Sequence, residues 1–136
     1  GSISHKTGPE HNAFSEPYEY YFSPAHNRQH YNKPIVVLCN RGSFSATNNF
    51  VSIMKQLPNV TIIGDTTGGG CGLPFTSELP NGWSVRFSAA VIRDAEGNIT
   101  EFGVAPDIKV DMTEADRLSG HDTILDTAIS HLLHQK

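Results

Sequence analysis

Long apolar runs are missing from this sequence, and nothing in it approaches the roughly 20 consecutive apolar residues that a membrane-crossing helix needs. Cysteine is scarce too. Cys39 and Cys71 form neither a CxxC pair nor a metal pattern, and their spacing leaves a disulfide between them open. Basic residues are few and dispersed. Ten Lys and Arg face fourteen Asp and Glu, for a net charge of −4, so nucleic acid is not an expected partner. The seven histidines offer no ligand template: His26 and His30 have i,i+4 spacing, but in a Pro/Asn-rich stretch that does not read as helix. His131 and His134 fall near the carboxyl end of a helical pattern, where positive charge is favoured. No metal and no cofactor are implied. A secretory leader is absent, but Gly1-Ser2 reads as a cloning scar, so this says nothing of natural location. What remains is a 136-residue chain with 38% hydrophobic and 18% charged residues. That is enough for one compact domain and too little charge for a disordered one.

Organisation changes at about residue 33. Residues 1–32 hold four of the histidines, many aromatics (Phe14, Tyr18, Tyr20, Tyr21, Phe22, Tyr31) and three prolines, without a sustained period. They read as an irregular arm, with "YEYYF" its best short strand, and as an interior segment of a longer protein whose aromatics want a surface to cover. From Lys33 the signals sharpen. "PIVVLC" is an unalternating β-branched run, the pattern of a strand buried on both faces. Ser45–Leu57 places Phe50, Val51, Met54 and Leu57 on one helical stripe, closed by Pro58. "NVTIIG" reads as a second buried strand, and strand–helix–strand at this spacing predicts a parallel βαβ unit. "TTGGGCG" is a flexible loop; "FTSELPNGWSVRFSAAVIRDAEGNIT" predicts antiparallel strands turning at "PNG" and "AEGN". "GVAPDIKV" is a short extended segment. A last helix starts from Asp122 as N-cap, with Ile124, Leu125, Ala128, Ile129, Leu132 and Leu133 on its apolar face.

The chemistry concentrates at "NRGSFSATNNF", where the first strand hands over to the helix. That junction lies at the carboxyl end of a parallel sheet, where ligands bind in such folds. The helix amino terminus offers unpaired N–H groups and partial positive charge suited to an oxyanion. A serine there can act as a nucleophile, with the Ala46 N–H holding the developing charge. Equally, Ser43, Ser45 or Thr47 can simply cap the helix, as Ser and Thr do. The loop "TTGGGCG" lacks the lysine and Ser/Thr ending of a phosphate-binding P-loop and is not GxGxxG; it reads as a loop for close approach. Among the acids, Glu101 ends a strand before "FGVAPD" and could face the same edge as Ser45, whereas Asp107 is expected to tie down a turn after Pro106.

Taken together, "IVVLCNRGSFSATNNF", "VTIIGDTTGGGCGLP", "ELPNGWSVRFS" and "EFGVAPDIKVD" resemble the catalytic domain of the tail-specific (carboxyl-terminal processing) serine peptidases. That wider family includes the tricorn core protease and the interphotoreceptor retinoid-binding protein repeats. The resemblance covers about Lys33 to Gln135. It implies a ClpP/crotonase-like α/β fold, a ββα core with a partly parallel sheet. It also implies Ser45 rather than Ser43 as nucleophile, Ala46 N–H as one oxyanion donor, Glu101 as the orienting acid, and Gly69 and Gly70 on the substrate side. Two departures accompany it. The loop lysine that serves as base in the processing branch aligns with Gly70, so no Ser/Lys dyad can form. The tricorn-like branch uses an upstream histidine oriented by a second serine and a glutamate, but His5, His11, His26 and His30 lie too near the nucleophile motif to match it. The family's D-x-R-x-N-G-G-G segment, which supplies the other oxyanion donor, is not found either. The expectation is therefore the carboxyl-terminal part of a peptidase-like domain, incomplete by itself, with residues 33–136 carrying half an active site. Its partners would be a peptide or protein substrate and the rest of the parent chain, and exposed apolar surface would favour self-association. Exported relatives imply a periplasmic or extracellular site, with membrane anchoring of the parent an option. The rival expectation is a binding module on the same fold, with Tyr18, Tyr20, Phe22 and Trp83 lining an apolar ligand groove.

Overall fold

The computed structural model describes residues 1–23, 26 and 30–135; the expectation for the stretch between His26 and His30 falls mostly outside them. The β-branched runs form the expected parallel unit. β3 (Ile35–Cys39) and β4 (Val60–Gly64) pair in parallel from Ile35 opposite Val60 to Cys39 opposite Gly64. α1 (Ala46–Met54) makes the crossover between them. A short strand, β8 (Ile108–Lys109), adds in parallel on the other side of β4, giving the order β3-β4-β8.

Alternation along β4 decides what each face of this sheet holds. Val60 and Ile62 pack with Val51 of α1, Cys39 and Val104, while Ile63 packs on the opposite face with Ile124 and Ala128 of α3 (Thr123–His134). Ile62 and Ile63 are both fully buried. β3 differs from its expected burial. Ile35, Val36 and Val37 are half-buried and Leu38 is 41% exposed, because β3 lies at the edge of the sheet and β4, in the centre, takes the fully covered position.

Two further sheets complete the chain. β5 (Pro74–Glu78) and β6 (Ser84–Ser88) form an antiparallel hairpin turning through "PNG". β7 (Ala90–Arg93) reverses through "AEGN" to a bridge at Ile99. Its main partner comes from the amino-terminal stretch. β1 (Ser2–His5) runs antiparallel to β7, and β2 (Tyr18–Glu19) flanks β1. β1 carries no periodic signal, because four residues are too few to show one. Ile3 joins Cys71, Ala90 and Ile92 in a second core cluster. Cys39 and Cys71 are both free and lie in different clusters. A helix not foreseen from periodicity, α2 (Glu114–Ser119), is set by a capping box in which Thr113 and Asp116 satisfy each other's backbone N–H. Asp122 caps α3 as expected, accepting from Leu125 N–H at 2.9 Å.

Candidate active site

Ser45 sits between β3 and α1 with φ 56° and ψ −116°, backbone angles that glycine tolerates and side chains avoid. Its N–H is held by Gly69 O at 2.7 Å. Its side chain makes no capping bond to the helix, so the cap expected from local sequence is not formed. Ser43 is the turn residue: its N–H donates to Asn40 O, and its hydroxyl accepts from Asn40 N–H. Thr47 lies inside the first turn of α1, its N–H bonded to Phe44 O. Ala46 is the first helical residue, and an N–H at that position has no carbonyl behind it within the helix.

The half-buried Ser45 opens into a pocket of about 470 Å³ that also involves Phe44, Gly70, Arg86, Ser88 and Glu101. Glu101 lies in a single 3₁₀ turn, Thr100–Phe102. Its Oε1 accepts from the Ser88 hydroxyl at 2.8 Å. Its Oε2 is buried with no hydrogen-bond partner among the described residues. Ser88 was not singled out from sequence; its place at the end of β6 follows only from the hairpin register. Gly72 underlies the pair, since a Cβ there would come 2.1 Å from Ser88 Oγ and 3.0 Å from Glu101 Oε2.

The glycine loop is laced between the two halves of the site. Gly68 N–H donates to Ser43 O, and Gly70 N–H donates to Glu101 O at 3.0 Å. At Gly70, φ is +78° and a Cβ would lie 2.2 Å from the Phe44 ring. The Phe44 ring thus packs directly against the Gly70 backbone. Beneath the loop, Asn48 is fully buried. Its Nδ2 donates to Thr100 O at 3.0 Å and to Cys71 Sγ at 2.9 Å, and its Oδ1 accepts from the Thr67 hydroxyl. That hydroxyl in turn accepts from Val104 N–H at 2.6 Å, and the Cys71 thiol donates to Ser45 O at 3.3 Å. Sequence reading passed over Asn48. Its signal was a polar residue three positions before buried Val51, in register with the helix's inner stripe.

Other expected residues lie elsewhere. Asp107 does more than close a turn: it pairs with Lys55 at 2.8 Å and accepts from Ile62 N–H at 2.8 Å. Burial works to raise its pKa, but the Lys55 ammonium and the Ile62 N–H outweigh it, so the carboxyl is held below its usual value. Tyr20 and Phe22 border a separate groove against Ile53 and Leu57 of the α1 region. Trp83 projects at the hairpin turn, 71% exposed, and Tyr18 stacks on His5. These aromatics do not surround one pocket with Ser45.

Comparison with known proteins agrees with this geometry. The model of peptidase family S41 matches residues 3–110, and the chain belongs to that family. A crystal structure from Parabacteroides merdae ATCC 43184, provisionally described as a peptidase, is 51% identical with a TM-score of 0.91. That match covers 100% of this chain and 43% of the other. Mature CPAF complexed with lactacystin is 25% identical with a TM-score of 0.76, over 91% of this chain and 26% of that one. A carboxy-terminal-processing protease of Bartonella bacilliformis is 30% identical over 94 residues, 68% of this chain and 22% of that protein. The chain spans less than a quarter of the length of the curated relatives it matches. The fold is accordingly the mixed α/β architecture of S41 peptidase domains, with a parallel strand leading into the Ser45 junction.

Proposed function

We propose that this chain is the nucleophile-bearing part of a serine peptidase that cleaves peptide bonds by acyl transfer through Ser45. One observation carries the reading: a serine held in a backbone conformation side chains avoid, uncapped, at a helix amino terminus, opening into the pocket where Ser88 orients Glu101. A strained strand-to-helix serine of this kind presents its hydroxyl to a substrate.

In the proposed reaction, Ser45 Oγ attacks the scissile carbonyl carbon while a histidine imidazole from outside the described residues accepts its proton. The carbonyl π bond opens to an oxyanion, which Ala46 N–H stabilises at the positive end of α1. The C–N bond then breaks as the imidazolium returns the proton to the departing amine. Water repeats the sequence on the ester and frees Ser45. In this reading Glu101 Oε2, buried and without a partner among the described residues, accepts the other imidazole N–H and fixes the tautomer, while Ser88 holds Oε1. Gly69 and Gly70 offer backbone to the substrate chain. Position 70 is a glycine packed against the Phe44 ring, so in this reading the base is not a lysine of that loop. The substrate is a peptide or protein, by analogy with the protease names of the relatives. A periplasmic or extracellular location is part of this reading through the family resemblance; no helix among the described residues is long and apolar enough to cross a membrane.

The test is the pH dependence of peptide hydrolysis by the full-length protein. A histidine base predicts that kcat/KM falls on the acid side with a midpoint near the ordinary imidazole value, about 6.5, and that Ser45→Ala abolishes turnover. A midpoint above about 8, in the range of a tuned lysine base, would contradict the assignment.

A further inference from the structure

We infer that Asn48 is a positioning residue for the proposed peptidase site: a buried amide that braces the glycine loop from beneath and so helps set the spacing between Ser45 and Glu101. The inference rests on the reading of those two residues as working partners and goes beyond it by naming what holds them in register. Neither residue reaches the other through continuous secondary structure. Ser45 precedes α1, and Glu101 lies in a 3₁₀ turn more than fifty residues later in the chain. Two connections join them: the backbone of the glycine loop, where Gly69 O holds Ser45 N–H at 2.7 Å and Gly70 N–H donates to Glu101 O at 3.0 Å, and beneath it a chain of side-chain polar groups.

Asn48 has two donor hydrogens and a carbonyl acceptor, and all of them are engaged. One N–H goes to Thr100 O, on the residue before Glu101, at 3.0 Å. The other goes to Cys71 Sγ at 2.9 Å, and that thiol bonds the carbonyl of Ser45 itself at 3.3 Å. The carbonyl receives the Thr67 hydroxyl, which also holds Val104 N–H on the far side of the 3₁₀ turn. Thr100 Oγ1 then anchors the turn to Ile92 O of β7 at 3.2 Å. The nucleophile, the glycine loop and the acid's turn therefore meet at one side chain on the second residue after Ala46.

Such a hub is directional in a way an apolar contact is not. A methyl group in this place could fill the volume, but it could not fix the angle at which three segments approach. Fully satisfied buried networks specify one arrangement, and partly satisfied ones lose it. Small misplacements of reacting groups cost rate steeply, with about 1 Å worth on the order of 100-fold.

The experiment measures the rate of fluorophosphonate labelling of the full-length protein, with folded content matched by circular dichroism. Asn48→Asp keeps the shape, removes both donors and faces Thr100 O with a second acceptor. It is expected to label at least about tenfold more slowly than wild type, with kcat for peptide hydrolysis falling and KM little changed. A second pair guards against an Asn48 variant that does not fold. Thr67→Val keeps the shape and loses the hydroxyl, whereas Thr67→Ser keeps the hydroxyl and loses a methyl. Positioning by hydrogen bond predicts slow labelling in Thr67→Val and a rate nearer wild type in Thr67→Ser; packing alone predicts the reverse order. Equal labelling of wild type and Asn48→Asp, or the reverse order at Thr67, would overturn the inference while leaving the Ser45 assignment intact. Absence of labelling at Ser45 in wild type would remove the assignment, and the inference with it.

Discussion

Ser45 adopts φ 56° and ψ −116°, close to the first central residue of a type II′ turn, a position glycine dominates. Holding a side chain there costs on the order of 1–3 kcal/mol, and its hydroxyl returns no capping bond. Strain without a capping bond in return is what the proposed role of Ser45 as nucleophile calls for. Ser45→Gly is therefore expected to raise stability by about 1 kcal/mol in denaturant melts, while Ser45→Ala gives no such gain and both lose labelling. A drop in stability for the glycine variant would show that the serine is not strained. Gly70 makes the complementary case. Gly70→Lys restores the residue type of the processing branch, yet φ is +78° and the Phe44 ring stands in its path. Loss of about 2–3 kcal/mol is expected, of the size seen for overpacking and strain together, with no gain in hydrolysis; pairing it with Phe44→Ala should recover part of the stability.

Among the elements, β4 carries the organisation, and its neighbours were legible in proportion to their length. The βαβ unit, the β5–β6 hairpin and α3 could all be read from periodicity and turn residues, because each repeats its pattern over several positions. β1 could not, since four residues hold no period; β8 was legible only as part of the extended segment "GVAPDIKV", and the pairing of both is decided by tertiary partners. The candidate site divided the same way. The motif pointed to Ser45, Ala46 and Glu101 as candidates, whereas the Ser88–Glu101 bond depends on hairpin register that no local window contains, and Asn48 showed locally only as a polar residue on the inner stripe of α1. Asp107 shows an element-level consequence. Its lowered carboxyl links β4 to α1 through Ile62 N–H and Lys55. A folded-state pKa below the unfolded value stabilises above roughly pH 3.9, the ordinary aspartate value. That contribution fades as pH falls through the lowered value. Asp107→Asn is thus expected to cost about 1–2 kcal/mol at pH 7, with the gap to wild type narrowing in melts near pH 3. A gap that stays constant with pH would mean the carboxyl's charge does not matter.

At the scale of the whole molecule, large apolar residues remain outside. Phe75 and Phe87 pack on each other across the hairpin, yet both stay about half exposed, and β3 is only half covered. Surface of that kind associates with itself in water, so the chain by itself is expected to form dimers or larger species by light scattering as concentration rises. A monodisperse monomer throughout would argue that these faces need no cover. The functional claim has the same form: a nucleophile, one oxyanion donor and an orienting acid are proposed here, and the base is proposed to come from elsewhere in the full-length protein. Fluorophosphonate treatment followed by peptide mass spectrometry tests this most directly. The account predicts an adduct on Ser45 in the full-length protein, none in its Ser45→Ala variant, and little or none on residues 1–136 alone. An adduct on another residue, or equal labelling of wild type and Ser45→Ala, would contradict it.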